Sequence, residues 1–131
     1  MGMIASLLGR PAIAPHLLLG RQGEQVAAAY LRSVGYRVDE VNVRVGRHDE
    51  IDLIAFDPSD EVLVFVEVKT TAQWDERFPP EMRLDHRKRR ALSRAAQGWV
   101  TRQEYDGAFR IDLVCVAGGK VVDHFKEIGG G

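Results

Sequence analysis

Val62-Leu63-Val64-Phe65-Val66-Glu67-Val68-Lys69 is the stretch on which the fold turns. Five apolar residues in an unbroken run read as a strand buried on both faces. Side chains two apart on a strand share a face, so Glu67 and Lys69 emerge together from one side. An unpaired charge at the end of so apolar a strand is very costly. The two must therefore be paired, wet or bound to an ion.

Upstream, Glu50-Ile51-Asp52 opens a second apolar stretch, Leu53-Ile54-Ala55-Phe56, and Asp57-Pro58-Ser59-Asp60 has turn composition. So short a link makes the two strands an antiparallel hairpin. Pairing about that tip puts Asp52 opposite, or nearly opposite, Glu67, and directly opposed side chains hold their Cβ atoms about 4.5–5.5 Å apart. Two carboxylates that close repel unless one is protonated or a cation lies between them. Mg²⁺ takes hard oxygen ligands, one or two of them carboxylates, with water and substrate phosphate completing the shell. Lys69 would then stand beside the reacting phosphate, able to orient a nucleophile and stabilise developing charge. Asp followed by Glu-x-Lys on the next strand thus fits a site that cuts phosphodiesters. The plainer alternative is a strand-end Glu-Lys pair with Asp52 in a turn hydrogen bond. A register slip of one residue would turn Asp52 to the other face.

Around this hairpin the pattern predicts a helix from Arg21 to Val34, its stripe formed by Val26, Ala27, Tyr30, Leu31 and Val34 and its end marked by Gly35. Glu24 falls at the edge of the stripe and in the expected first turn, where the helix dipole favours an anion. Tyr36-Arg37-Val38 and Val41 to Val45 alternate as strand segments, with a phase break near Asp39-Glu40 that suggests a bulge. Gly46 to Asp49 is a polar turn. Thr70 to Pro80 is a loop whose Trp74 and Phe78 either pack beneath it or stack on unpaired bases. A helix follows over Asp85–Gln103, then a strand over Phe109–Val116, a turn at Gly118-Gly119 and a strand over Val121–Phe125. The expected order is α-β-β-β-α-β-β. A buried strand, a helix and another strand favour a right-handed crossover to a parallel neighbour. The expectation is therefore one α/β domain with a mixed sheet flanked by helices, spanning residues 20–128. Residues 1–19 read as an arm or short helix and 129–131 as a fraying tail.

A chain of 131 residues suffices for one hydrophobic core. Its formal net charge of −1 excludes a uniformly basic nucleic-acid glove. Basic residues instead gather between Arg83 and Arg102, with Arg87-Lys88-Arg89-Arg90 opening the second helix. Cations are mildly unfavourable at a helix N-terminus, and phosphates would offset that cost. The other reading is a solvated face. Cys115, the only cysteine, rules out an internal disulfide or a cysteine zinc cluster and suits a reducing cytosol. Within its apolar strand it reads as a small buried hydrophobe. Met1 to Leu19 is apolar, but Arg10, Pro11 and Pro15 interrupt it, so neither a membrane span nor a signal peptide is expected.

Gly23-Glu24, Asn42-x-Arg44, Glu50-Ile51-Asp52-Leu53-Ile54-Ala55, Phe65-Val66-Glu67-Val68-Lys69 and Arg110-Ile111-Asp112 together resemble the YraN family of small bacterial proteins. That family is similar to archaeal Holliday-junction resolvases within the PD-(D/E)xK superfamily. The resemblance covers Gly20 to Val116. It implies a restriction-endonuclease-like fold and a role for each matching residue: Asp52 and Glu67 bind Mg²⁺ or Mn²⁺, Lys69 is the catalytic lysine, and Glu24 completes the site. Lys88 matches a lysine that approaches the active site in such chains. Three positions depart from the pattern: Asp49 replaces a glycine and adds a carboxylate, Thr71 replaces a basic residue, and Ile111 replaces an aromatic.

The function expected from these readings is metal-dependent hydrolysis of DNA, branched or otherwise structured, in the cytoplasm, with Arg87, Lys88, Arg89 and Arg90 on phosphates. Two other classes stay open: a non-catalytic nucleic-acid-binding module of the same fold, and an interaction subunit of a DNA-processing complex. Two symmetric cuts would call for two sites and hence a homodimer.

Overall fold

The computed structural model describes residues 15–71 and 86–129. Trp74, Phe78 and residues 1–14 lie outside the described residues. Helix α1 spans Pro15–Ser33, β1 Arg37–Val45, β2 Asp49–Asp57, β3 Val62–Thr71, α2 His86–Arg102, β4 Phe109–Ala117 and β5 Lys120–Gly129. The five strands form one sheet in the order β1-β2-β3-β4-β5. All neighbours pair antiparallel except β3 and β4, which run parallel from Leu63↔Phe109 to Thr71↔Ala117. That single parallel pair requires the crossover that α2 supplies.

Strand β3, at the centre of the sheet, opens with an unbroken apolar run, as burial on both faces demands. Phe65, with Leu63, Ile54, Leu113 and Cys115, packs with Leu92, Ala95, Ala96 and Val100 of α2. Val64 and Val66, with Ala55, Val114 and Val116, pack with Ala27, Ala28 and Leu31 of α1. The sheet is thus covered by one helix on each face, and Cys115 is buried as a small apolar residue. Among the described residues no helix is long and apolar enough to cross a membrane.

Two boundaries differ from the sequence pattern. Helix α1 begins at Pro15, six residues before Arg21. Proline is well tolerated at a first helical position, where its missing N–H would have had no partner. Glu24 therefore lies in the body of the helix, and the dipole argument for it lapses. The other end is as expected: Gly35, at φ 97°, donates to Arg32 O while Tyr36 N donates to Leu31 O, a two-bond helix stop. Strand β5 continues past Phe125 to Gly129, which pairs with Ile111, so Gly129 belongs to the sheet and not to a tail. The irregularity expected near Asp39-Glu40 is a register shift between Val38 and Glu40.

Candidate active site

The hairpin register is Ile54↔Phe65 and Leu53↔Val66, so a continued ladder would set Asp52 against Glu67. The ladder stops at Leu53↔Val66, and the Asp52 carboxylate accepts the Val68 N–H at 2.8 Å. Ile51 packs on the α2 side of the sheet and Leu53 on the α1 side, although they are two residues apart. Strict alternation would keep them on one face, so β2 changes phase across Asp52. On the neighbouring strand the residue between Val41↔Leu53 and Val43↔Ile51 is Asn42, at φ 53°. The two irregularities face each other.

This break lets one carboxylate reach two neighbours. Glu67, buried on the α2 face of β3, hydrogen-bonds Asp52, while Glu24, projecting from α1, is close enough for Asp52 to act on its charge. Glu67 is raised to about 8, first by burial and then by the Asp52 carboxylate, with Lys88 opposing. Asp52 is raised by burial, against the Val68 amide, the Glu67 hydrogen bond and Lys88. The hydrogen bond between them raises Glu67 and lowers Asp52, so it favours the proton on Glu67. Glu24 is also raised, by burial and then by Asp52, and the Asn42 side chain hydrogen-bonds it in opposition.

Lys88 Nζ lies 3.2 Å from Glu67 Oε1, with half of the lysine side chain exposed. Of the four basic residues in the first turns of α2 it is the one that meets the acidic pair. Arg87 and Arg90 are exposed and Arg89 is half-buried. Lys69 follows Glu67 by two residues, half-buried and opposite Cys115, so it shares the α2 face. Asp49 is occupied by Arg94, which donates to both its oxygens at 2.8 and 2.9 Å, so it adds no free carboxylate to the site. The structure therefore brings Asp52, Glu67 and Lys88 together, with Glu24 near Asp52 and Lys69 further along the same face. Among the described residues no three His, Cys, Asp or Glu side chains form a group that could hold a metal ion. A two-carboxylate donor set still suits a hard divalent cation that keeps water and phosphate as its remaining ligands.

Two features of the site escape sequence reasoning. No local pattern marks Asn42 beyond the family-like string that holds it; its left-handed backbone and its bond to Glu24 give it a place at the site. A Cβ at Gly23 would strike Thr70 Oγ1, so the glycine lets α1 approach the end of β3 closely enough to aim Glu24 at Asp52. The signal was the Gly23-Glu24 pair itself, since a buried glycine within a helix asks for a packing reason.

Comparison with known proteins places this chain in a family. Residues 23–116, from the tight glycine of α1 through β4, match the uncharacterised protein family UPF0102. A UPF0102 protein of Chlorobium chlorochromatii is 43% identical over 98 residues, covering 75% of this chain and 73% of that protein. One of Pelobacter propionicus is 36% identical over 99 residues, 74% of this chain and 69% of that protein. One of Oleidesulfovibrio alaskensis is 43% identical over 102 residues, 77% of this chain but only 48% of that protein. The YraN-like strings and the whole span from Gly23 to Val116 lead to one assignment: the chain belongs to the UPF0102 family.

Proposed function

We propose that this protein is a metal-dependent nuclease with a restriction-endonuclease-like fold, acting on phosphodiester bonds of branched or structured DNA. The observation that carries the reading is the meeting of Asp52 and Glu67 where β2 and β3 part, both carboxyl groups raised by burial and Glu67 raised further by the Asp52 charge. A structural pair has no reason to keep two acids in so unfavourable a contact, whereas a cation-binding pair does. Asp52 and Glu67 would hold Mg²⁺ or Mn²⁺, which supplies charge neutralisation at the phosphate when bound. The Val68 amide fixes one oxygen of Asp52 and so presets the carboxylate. Lys69, on the same face, orients the attacking water and stabilises charge on the phosphate. Glu24, held by Asn42, acts on the Asp52 side as a proton acceptor whose basicity burial has raised. Arg87, Lys88, Arg89 and Arg90 bind the backbone of the substrate. A homodimer and a cytoplasmic location go with this reading, the first testable by light scattering.

A second reading is favoured by Lys88, whose ammonium already sits against Glu67 where a cation would bind. Such a site could serve a non-catalytic nucleic-acid-binding module. Incubation of junction and flap DNA with the protein, with and without Mg²⁺ or Mn²⁺, separates the two. The nuclease reading expects metal-dependent cleavage that Asp52→Asn and Glu67→Gln abolish while binding persists. Binding by wild type with no cleavage under any metal favours the module. A wild type that neither binds nor cuts overturns both.

A further inference from the structure

On the α1 side of the sheet an open groove of about 290 Å³ lies between α1 and β1, and among its lining residues are Glu24, which senses the Asp52 charge, and Asn42. Its helix wall is the stripe Arg21, Gln25, Ala28, Arg32. Those positions, spaced by four, three and four residues, lie on one face of an α-helix, and the two arginines are about 16 Å apart along its axis. Both are exposed. The opposite wall carries Val41, an exposed apolar side chain on β1.

We propose that this groove is a second binding track for a phosphodiester backbone, with Arg21 and Arg32 as its phosphate contacts. The inference rests on the nucleic-acid reading above and deepens it. A separation of ~16 Å spans several nucleotides at about 3.4 Å per phosphate along one strand. Two guanidinium groups against the single Glu24 carboxylate, the amides of Gln25 and Asn42 and an apolar wall opposite suit a polyanion that also presents sugar and base faces. The cluster Arg87 to Arg90 lies on α2, which covers the other face of the sheet. The acidic pair at the strand ends thus stands between two cationic surfaces, one from each helix. A substrate that engages both must bring its backbone across the end of the sheet, from the α1 face to the α2 face. A branched or flapped DNA, whose strands leave a common point in different directions, meets that requirement.

The test is binding of a single-stranded oligonucleotide and a flap DNA, followed by fluorescence anisotropy over a range of salt concentrations without metal. Arg21→Ala/Arg32→Ala is compared with a control of equal charge change, Arg47→Ala/Arg102→Ala, and both are checked for unchanged melting. The expected result is several-fold weaker binding in the groove variant. Its log-affinity against log-salt slope should flatten by about 1.4 on single strands, at ~0.7 per lost contact. The control should keep the wild-type slope. Wild-type binding with an unchanged groove variant overturns the track while leaving the nuclease reading standing. Equal losses in both double variants reduce it to general charge and overturn it too. Competition by polyglutamate as strong as that by oligonucleotide would assign the groove to an acidic peptide instead. A wild type that binds no nucleic acid sinks the track together with the reading beneath it.

Discussion

Strand β2 carries Asp52 near its start and Asp57 at its end, and the molecule treats the two carboxylates in opposite ways. Asp52 meets another acid, and both are raised. Asp57 meets Arg110, which donates to Asp57 Oδ2 at 3.0 Å, Asp60 Oδ2 at 2.9 Å, Asp112 Oδ1 at 2.9 Å and Tyr36 Oη at 2.6 Å. Asp112, fully buried, also accepts from His124 Nε2 at 2.8 Å and from the Glu127 N–H at 3.2 Å, and His124 Nδ1 lies 3.0 Å from Tyr30 Oη. Burial works to raise Asp57 and Asp112, but bonds from Arg110, Ser59 N–H and Tyr36 to the first, and from His124 and Arg110 to the second, outweigh it and leave both lowered. Burial is common to both regions. What differs is how fully partners of opposite charge are provided: Arg110 is buried among its acids and leaves them lowered, whereas the half-exposed Lys88 touches Glu67 and leaves both acids raised.

Arg110→Met should have the largest effect. It strips the cation from buried Asp57 and Asp112, and breaking such a pair costs about 3–5 kcal/mol. Urea denaturation at neutral pH measures it. A cost below 1 kcal/mol would mean that the network contributes little and that the contrast with Asp52 is only one of geometry.

The two regions should also pull stability in opposite directions with pH. Asp57 and Asp112 have lowered values, so their contribution is present above the unfolded value of 3.8 and is lost as pH falls through the folded one. Glu67 is raised from 4.5 to about 8, so its contribution is full below 4.5 and is lost as pH rises through 8. In metal-free buffer, stability should decline on both sides of a maximum near mildly acidic pH. Glu67→Gln should remove the upper limb and leave the acid limb, gaining about 1–3 kcal/mol over wild type at pH 8. An upper limb that survives in Glu67→Gln would place the repulsion elsewhere. Added Mg²⁺ should stabilise wild type at pH 8 and leave the variant unmoved, since a ligand of the native state shifts the folding equilibrium.

How far each region was legible follows from what joins its residues. The acidic pair was legible because a hairpin with a short turn fixes its own register: Ile54↔Phe65 follows from the turn at Asp57 to Asp60. The sheet was legible for the same local reasons, an apolar run and a helix between two strands. The Arg110 network joins Tyr30, Tyr36, Asp57, Asp112 and His124 from three strands, helix α1 and the turn after it, and no spacing rule connects them. Arg110-Ile111-Asp112 registered only as a string shared with a family, without its physical reason. The phase change at Asp52 was hidden too, because it depends on a left-handed Asn42 on another strand. Asp49 reads as an extra acid at the site because the residue that holds it, Arg94, is forty-five positions away in sequence.

The smallest expected effect sharpens the comparison most, because it sets one cation against another. Arg110 is buried and makes bonds through all three of its nitrogens, whereas Lys88 is half exposed and touches Glu67 from the rim. Lys88→Ala should therefore change stability by less than about 1 kcal/mol, as for other solvent-exposed pairs. Its effect belongs in the titration of Glu67. Losing the cation that favours the ionised carboxylate raises Glu67 further, so the upper limb of the stability profile should extend to higher pH and grow by about 1.4 kcal/mol for each unit gained. Carboxyl carbon chemical shifts followed by NMR over the same pH range read this directly. A Glu67 titration that is identical in wild type and Lys88→Ala would show that the ion pair does not form in solution, leaving the acidic pair without any cation of its own.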